Sequence, residues 1–395
     1  MMKRLYAALL SGVFLLPSLR AAEELPMVEI PDSLVSPEPE KAQSDFALRI
    51  FQQQVRQTQG NVTCSPSSLV SVLRMIQIGA RGETAAGLSA LKLPLPLLRA
   101  TIDMQEADAL FVDDKLVPVL KKFARRHDVM PVPMVTDAQQ AARRVNDWVC
   151  GRTAGRIPEL VTPESLQAGS DAPGLLAVNA IAMQGKWLFP FSEQETVTED
   201  FHCADGSTPH VQMMHQDACW SVAQGVDWLA VKLPYQISDW SGKPVCMVAI
   251  LPRGDARQFV DSLTVSQFAD ICEALKQKRD VEIHLGFPRF ELRAEPLSFK
   301  SVLAACGVGD IFQPGADFSG FADVPMYVSD VRQSCYVKVD EQGTTAAAAT
   351  SAQVVVWASL PELPPQIIFN RPFIWAILQT EHPDLPYFMG LYEHP

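Results

Sequence analysis

Histidines and cysteines are the side chains that most often act as bases, nucleophiles or metal ligands, but no recognisable motif arranges them here. The seven histidines lie at positions 127, 202, 210, 215, 284, 382 and 394. Their spacing is not that of a metal site or a general base, and G-x-S-x-G, H-E-x-x-H, G-x-x-x-x-G-K-[ST] and G-x-G-x-x-G do not occur. A hydrolase triad built from residues far apart in sequence stays open as an alternative, but nothing favours it.

The eight cysteines also lack a spacing that would indicate chemistry. They lie at positions 64, 150, 203, 219, 246, 272, 306 and 335, without a C-x-x-C pair and mostly inside apolar stretches. This placement predicts core thiols rather than a disulfide framework or a metal site.

Polar side chains inside apolar elements are the next candidates for function. Ser65 and Ser68 stand at the start of a helix whose apolar face continues to Ile76, with Ser65 as N-cap and Pro66 as first helical residue. Asn179 lies in the middle of a strand predicted to be buried on both faces. An unpaired buried amide costs about 1 to 3 kcal/mol, so Asn179 requires a partner from another element.

The stretch EQGTTAAAATSAQVVVWA, residues 341–358, has two interpretations. Alanine has the highest helix propensity, and Thr344 or Thr345 could cap a short helix. Alternatively, on a period of two, small side chains from Thr344 to Val354 share one face and could enter a slot between two strands. The preceding strand, predicted over 336–340, favours insertion into a sheet.

The elements that would position these residues follow an α+β order. Helices are predicted first, and strands dominate the second half without a βαβ rhythm. Helices are predicted over 44–59, 66–79, 116–126, 137–150 and 265–278, and strands over 107–112, 175–183, 228–233, 245–251, 281–285, 336–340, 372–378 and 387–391.

The composition and the first residues indicate where the protein is located and which partners are disfavoured. The chain has 395 residues, 48% of them hydrophobic, and a net charge of -12, which disfavours nucleic acid as a partner. Residues 1–22 are predicted to be a secretory signal peptide, because the apolar run is short and contains Pro17, unlike a membrane anchor. Residues 23–42 form an acidic, proline-rich leader. We therefore expect a secreted protein, extracellular or periplasmic, with no membrane association after signal removal.

Eight fragments, in the order of the family, resemble motifs of the serpins. They are NVTCSPSSLVSVLRMIQIGARGETAAGL (61–88), VNDWVCGRTAGRIPELV (145–161), VNAIAMQGKWLFPF (178–191), VKLPY (231–235), FPRFEL (287–292), DEQGTTAAAAT (340–350), FNRPFIWAI (369–377) and FMGLY (388–392). The resemblance implies one serpin domain over 43–395, with three β-sheets, eight or nine helices, one of them trimmed, and an exposed reactive-centre loop over about 341–365. It implies a protease inhibitor rather than an enzyme.

The resemblance also assigns roles to individual residues. Trp187 and Arg289 would lie with Glu341 at the top of the opening, termed the breach. Ser65, Ser68, Asn179 and Gln333 would form the polar cluster termed the shutter, where the family usually has a histidine in place of Gln333, so a changed opening barrier is expected. The hinge that enters the sheet would consist of Glu341, Gly343, Thr344, Ala346, Ala347, Ala348, Ala349 and Thr350.

Counting from the hinge places the reactive bond at Trp357–Ala358. A tryptophan there suits chymotrypsin-like serine proteases, which would form a covalent complex with the loop; cysteine proteases are a secondary class of target. The segment after this bond is longer than usual, so Val355, Val356 or Leu360 are alternatives that would suit an elastase-like protease.

Other partners are not indicated. The short segment after the GETAAGL motif implies that the helix that binds glycosaminoglycans in some serpins is trimmed, so glycosaminoglycan is not expected as a partner. We expect a monomer without cofactor or metal. A non-inhibitory serpin acting as carrier or chaperone is the alternative function.

Overall fold

A computed structural model describes residues 39–91, 93, 102–120, 129–167, 174–237, 243–277, 279–293, 296–344 and 364–395. From Pro39 onwards these residues belong to one compact unit. The predicted signal peptide and the leader up to residue 38 lie outside the described residues. The first helix begins at Pro39, so it includes the last residues of the predicted leader.

The described part contains eight α-helices, which agrees with the prediction of eight or nine. They are α1 Pro39–Gln57, α2 Pro66–Gly79, α3 Gly82–Ala90, α4 Ala138–Arg152, α5 Pro163–Gln167, α6 Ala256–Ser262, α7 Val265–Gln277 and α8 Lys300–Leu303. The helix predicted over 116–126 is instead a 3₁₀-helix at Asp114–Val119, which contains Pro118. Because the turn already begins at Asp114, an α-helix would need a bond from residue 118 to the Asp114 carbonyl, and proline has no N–H to donate. Residues 121–128 and most of the segment with the predicted trimmed helix lie outside the described residues.

The described residues contain sixteen strands, which form two hydrogen-bonded networks. The strands are β1 Val62–Cys64, β2 Asp103–Asp113, β3 Val129–Val132, β4 Leu175–Lys186, β5 Thr196–Asp200, β6 His210–Gln224, β7 Trp228–Pro234, β8 Val245–Pro252, β9 Val281–Pro288, β10 Phe290–Arg293, β11 Leu297–Ser298, β12 Val328–Asp340, β13 Gly343–Thr344, β14 Gln366–Ile368, β15 Phe373–Gln379 and β16 Phe388–Tyr392.

The first network consists of two sheets that share β6. One half of β6 pairs with β7 and continues through β8, β15 and β16 to β1. The other half pairs with β5 and β9, and β9 pairs with β14. The second network has the order β10, β12, β13, β4, β2, β3, with β11 beside β12. The three predicted sheets are therefore present.

Helix α2 and strand β4 build the centre of the molecule. Ser65 caps α2 by accepting a hydrogen bond from Ser68 N–H at 3.3 Å, and Pro66 occupies the first turn. The apolar face of α2 packs against β2 and β4. The first nine residues of β4 are buried, as expected for a strand covered on both faces. This packing places the start of α2 beside the middle of β4.

Six of the eight cysteines are buried, while Cys150 is half-buried and Cys219 is exposed; all eight are free thiols. Burial raises the pKa of Cys246 to about 11, so this thiol stays protonated and unreactive. Within the described ranges no helix is long and apolar enough to cross a membrane.

Candidate functional site

Strands β4 and β12 meet in a parallel pairing that we call the seam. The pairing runs from Leu175 beside Val328 to Ala182 beside Tyr336, with an irregularity near Val328. A further strand could enter the sheet here only if these bonds broke, and the polar residues of interest lie along this line.

Gln333 and Asn179 are direct partners across the seam. Gln333 Nε2 donates to Asn179 Oδ1 at 2.6 Å and to the Ser65 carbonyl at 3.0 Å. Ser65 N–H donates to Gln333 Oε1 at 2.9 Å. Both amides are buried, so these bonds supply the partner that Asn179 requires. The structure thus brings Ser65, Asn179 and Gln333 together.

Asp108 of β2 completes this cluster. Asn179 Nδ2 donates to Asp108 Oδ1 and to Ser68 Oγ. The Ser68 hydroxyl also donates to Asp108 Oδ1 at 3.4 Å. Burial, and then the nearby charge of Glu106, raise the pKa of Asp108 to about 7, although the two hydrogen bonds oppose this rise. The shutter therefore contains a carboxyl group that titrates near neutral pH.

The first hinge residues already lie in the sheet at the top of the seam. Strand β13 pairs with β12, Thr344 beside Val339, and with β4, Thr344 beside Gly185. Thr344 is 0% exposed, and its Oγ1 lies 2.9 Å from Tyr235 Oη. The chain has therefore begun to separate β12 from β4 at this end.

Gly343 is required at this entry point. Its φ of 143° lies in the region that favours glycine, and an added Cβ would lie 2.1 Å from the Gly185 carbonyl oxygen and 2.8 Å from the Trp187 nitrogen. A side chain here would displace the backbone of β4. The small residue predicted at the hinge is explained by this close approach.

Trp187 lies directly under the hinge. Its Nε1 donates to the Asp340 carbonyl at 2.9 Å, its backbone N–H donates to the Gln342 carbonyl at 2.9 Å, and its ring stacks on Tyr235 at 4.5 Å. Trp187 is buried, so the indole fixes the turn between β12 and β13 from below.

Glu341 is held at the same turn by two partners. Its carboxylate pairs with Arg289, and Thr196 Oγ1 donates to Glu341 Oε1 at 2.6 Å. Burial opposes ionisation of Glu341, but the hydrogen bonds from Arg289 and Thr196 outweigh it and lower the pKa of Glu341. The carboxylate stays charged and fixes the start of the loop over β4, where Phe191 N–H donates to the Glu341 carbonyl at 2.8 Å.

The remaining predicted loop residues lie outside the described residues. These are Ala346, Ala347, Ala348, Ala349 and Thr350 of the hinge and Trp357 and Ala358 of the reactive bond. The described chain resumes at Pro364, and β14 then pairs with β9, with Gln366 beside His284. The two ends of the predicted loop are therefore anchored in different sheets.

Three contributing residues were not predicted. Asp108, Tyr235 and Thr196 reach the site only through pairing between strands distant in sequence. A carboxylate inside the apolar strand 107–112 was a usable signal for Asp108, since a buried charge demands partners. Tyr235 and Thr196 gave no such signal.

The described chain leaves one sheet at Thr344 and pairs with another sheet from Gln366, and a polar cluster lies on the seam between β4 and β12. The serpin (serine protease inhibitor) family model matches residues 41–395, and the chain belongs to this family. Similar proteins include Iris of Ixodes ricinus, 28% identical over 85% of this chain and 92% of Iris. Mouse leukocyte elastase inhibitor A is 28% identical over 84% of this chain and 93% of its own length. The crystal structure of Manduca sexta serpin-12 has a TM-score of 0.74 and 21% identity, covers 90% of this chain and 98% of its own, and supports the fold.

Proposed function

We propose that this chain is a suicide-substrate inhibitor of serine endopeptidases, chymotrypsin-like first and elastase-like second. The observation that carries the proposal is β13, because Gly343 and Thr344 occupy the top of the seam and the small residues that follow can continue the same strand. A carrier or chaperone would not need this entry point.

In the proposed mechanism the loop acts first as a substrate. The serine hydroxyl of the protease attacks the carbonyl carbon of Trp357, the peptide bond to Ala358 breaks, and the new amino terminus at Ala358 leaves. Trp357 remains esterified to the protease. The segment from Thr345 is then free to follow Thr344 down the seam and to carry the protease with it.

The free energy released by inserting the loop is sufficient to distort the active site of the protease. About a dozen inserted residues add ladder hydrogen bonds of roughly 1 kcal/mol each, on the order of 10 kcal/mol in total. Loss of one oxyanion-hole donor costs a protease about 3 to 4 kcal/mol. Insertion can therefore distort the protease before the ester is hydrolysed. Loop insertion in serpins is itself one of the established examples of strand addition and conformational switching.

Specificity follows from the loop sequence. Trp357 fits a deep apolar pocket, and Val355, Val356 or Leu360 would fit an elastase-like pocket. No Lys or Arg occurs between Lys338 and Arg371, so trypsin-like proteases are not expected as targets.

The test mixes the chain without its first 22 residues with chymotrypsin, elastase and trypsin. We expect an SDS-stable species of summed mass with chymotrypsin, less with elastase and none with trypsin, and mass spectrometry of the released peptide should place the cut after Trp357. Cleavage by chymotrypsin without a stable complex would overturn the proposal and favour the carrier or chaperone alternative.

A pair of variants tests the insertion step. Thr344→Arg places a charge at a fully buried position between β12 and β4, so the loop should be cleaved without trapping the protease. Thr208→Arg makes the same change in an exposed turn and should leave the complex intact. A stable complex with Thr344→Arg would contradict insertion as the inhibitory step.

We also propose that the chain is exported after removal of residues 1–22. The charged start, the short apolar run and Ala21 with Ala22 support this. Amino-terminal sequencing of the protein recovered outside the cytoplasm of a bacterial host should read from near residue 23; recovery of the chain beginning at Met1 would contradict export.

A further inference from the structure

Three potential metal ligands converge at a place remote from the seam. Cys203 and Asp205 lie in the turn between β5 and β6, and His394 follows β16. The Cys203 sulfur, an Asp205 carboxylate oxygen and a His394 ring nitrogen all lie within 4.8 Å of one another. In the described part of the chain no other group of three or more His, Cys, Asp or Glu side chains meets that distance.

Backbone hydrogen bonds fix the main chain of the turn that carries Cys203 and Asp205. Cys203 N–H donates to the Ser207 carbonyl at 2.9 Å, and Gly206 N–H donates to the Cys203 carbonyl at 3.1 Å. Asp205 Oδ1 accepts from Ser207 N–H at 2.8 Å and from Ser207 Oγ at 2.6 Å. These bonds orient the exposed carboxylate of Asp205 within the turn.

The third ligand is held independently by another part of the chain. Asn61 Oδ1 accepts from the backbone N–H groups of Glu393 at 2.7 Å and His394 at 3.0 Å, and Asn61 Nδ2 donates to the His394 carbonyl at 2.7 Å. The Glu393 carboxylate is buried and pairs with Arg257 at 2.6 Å. The backbone of His394 is therefore fixed, while its half-buried ring can turn towards the thiol.

We propose that Cys203, Asp205 and His394 bind a divalent transition-metal ion, with Zn²⁺ as the best match. A thiolate and an imidazole favour Zn²⁺ over Mg²⁺ or Ca²⁺, and three protein ligands leave a fourth position for water. Binding releases the proton of the Cys203 thiol to solvent, and the thiolate becomes the ligand.

The size of the cluster suits this ion. Bonds of about 2.3 Å to sulfur and 2.0 Å to nitrogen, arranged tetrahedrally, separate the two ligand atoms by about 3.5 Å. The present upper bound of 4.8 Å requires the sulfur and nitrogen atoms to close by about 1.3 Å at most. Asp205 is exposed and His394 half-buried, so both can move this far, whereas Cys203, 7% exposed, stays in place.

A metal here would connect segments that are far apart in sequence. The turn is also bonded to the chain after β14, because His202 N–H donates to the Asn370 carbonyl at 2.8 Å. The bound ion would add a link between the end of the β5–β6 hairpin and the segment after β16. It does not touch the seam, so its presence and the inhibitory mechanism can be tested separately.

The test uses the chelator-treated full chain and Co²⁺ as a spectroscopic substitute for Zn²⁺. We expect a sulfur-to-cobalt charge-transfer absorption that saturates at about one ion per chain and disappears when Zn²⁺ displaces Co²⁺. Cys203→Ala should abolish the absorption, and His394→Asn should weaken Co²⁺ binding at least about tenfold. Zn²⁺ should raise the melting temperature of the wild type by a few degrees and leave that of Cys203→Ala unchanged.

Matched controls separate this site from chance binding. Cys219→Ala removes an exposed thiol and His210→Asn an exposed imidazole, and both variants should retain the absorption and its affinity. Absence of the band in the wild type, its persistence in Cys203→Ala, or its loss in Cys219→Ala would overturn the proposal. Equal affinity in wild type and His394→Asn would show thiol binding alone, which also overturns it. Should Cys203→Ala not fold, Asp205→Asn with His394→Asn provides the same test.

Discussion

Replacement of Asp108 by asparagine should remove a pH dependence of stability that the shutter imposes on the native chain. Asp108 is half-buried beside Asn179 and Ser68, and its pKa is about 7 against an ordinary value of 3.8. Between pH 3.8 and about pH 7, the native state therefore keeps a proton on Asp108 that the unfolded state has released. The stabilisation is fully present below pH 3.8 and is lost as the pH rises to about 7.

The size of this loss of stability follows from the native and unfolded pKa values of Asp108. A separation of about 3 pH units, at 1.36 kcal/mol per unit, corresponds to about 4 kcal/mol. Asp108 keeps part of its surface in water, which screens its charge, so about 2 to 4 kcal/mol is expected. An asparagine carries no charge and can still accept the bonds from Asn179 Nδ2 and Ser68 through its side-chain oxygen.

The assay is urea unfolding of the wild type and Asp108→Asn at several values between about pH 4 and pH 8. Other groups titrate in both proteins, so the difference between their unfolding free energies isolates Asp108. Relative to the variant, the wild type should lose about 2 to 4 kcal/mol across this range. Asp103→Asn, an exposed carboxylate on the same strand, is the control and should follow the wild type. A pH-independent difference between wild type and Asp108→Asn would refute the reasoning.

Other positions give further predictions. Gly343→Ala brings a Cβ within 2.1 Å of the Gly185 carbonyl, so it should expel the hinge and lower the urea midpoint; an unchanged midpoint would contradict the close approach. Gln333→Leu removes the partners of Asn179 Oδ1 and of the Ser65 backbone N–H and should lower the unfolding free energy by about 2 to 5 kcal/mol. Gln333→Glu keeps an acceptor, and its loss of unfolding free energy should be smaller at about pH 5 than at about pH 8. Brief alkylation of the native chain should modify Cys219 before the buried thiols, as peptide mapping would show, and equal labelling of all sites would contradict their burial.

Local patterns predicted the central elements well. Helix α2 and strand β4 were recognised because burial imposes a helical repeat on one and a continuous apolar run on the other. Strand β6 gave no such pattern. Its two halves belong to different sheets, so the face that is buried changes along the strand and the polar residues do not alternate regularly.

The site was predicted less completely than the fold. The motifs placed Gln333 and Asn179 together, but Asp108 enters only because it lies opposite Asn179 in the pairing of β2 with β4. This register depends on the whole sheet and not on a local repeat. The convergence of Cys203 with His394 is of the same kind, since the two residues are far apart in sequence.

The position of β13 sets the order of events along the seam. Thr344 lies opposite Val339, so residue numbers across this antiparallel pairing sum to 683; opposite β4, Gly343 and Lys186 sum to 529. The same register, continued, brings Thr350 opposite Gln333, since 683 − 333 = 350, and opposite Asn179, since 529 − 179 = 350. In the proposed insertion, Gly343 and Thr344 are already paired before cleavage, and Thr350 would be the residue that meets the Gln333–Asn179 pair. The hydroxyl of Thr350 would arrive where the Gln333–Asn179 bond has opened, so the residue that divides the pair can also satisfy it.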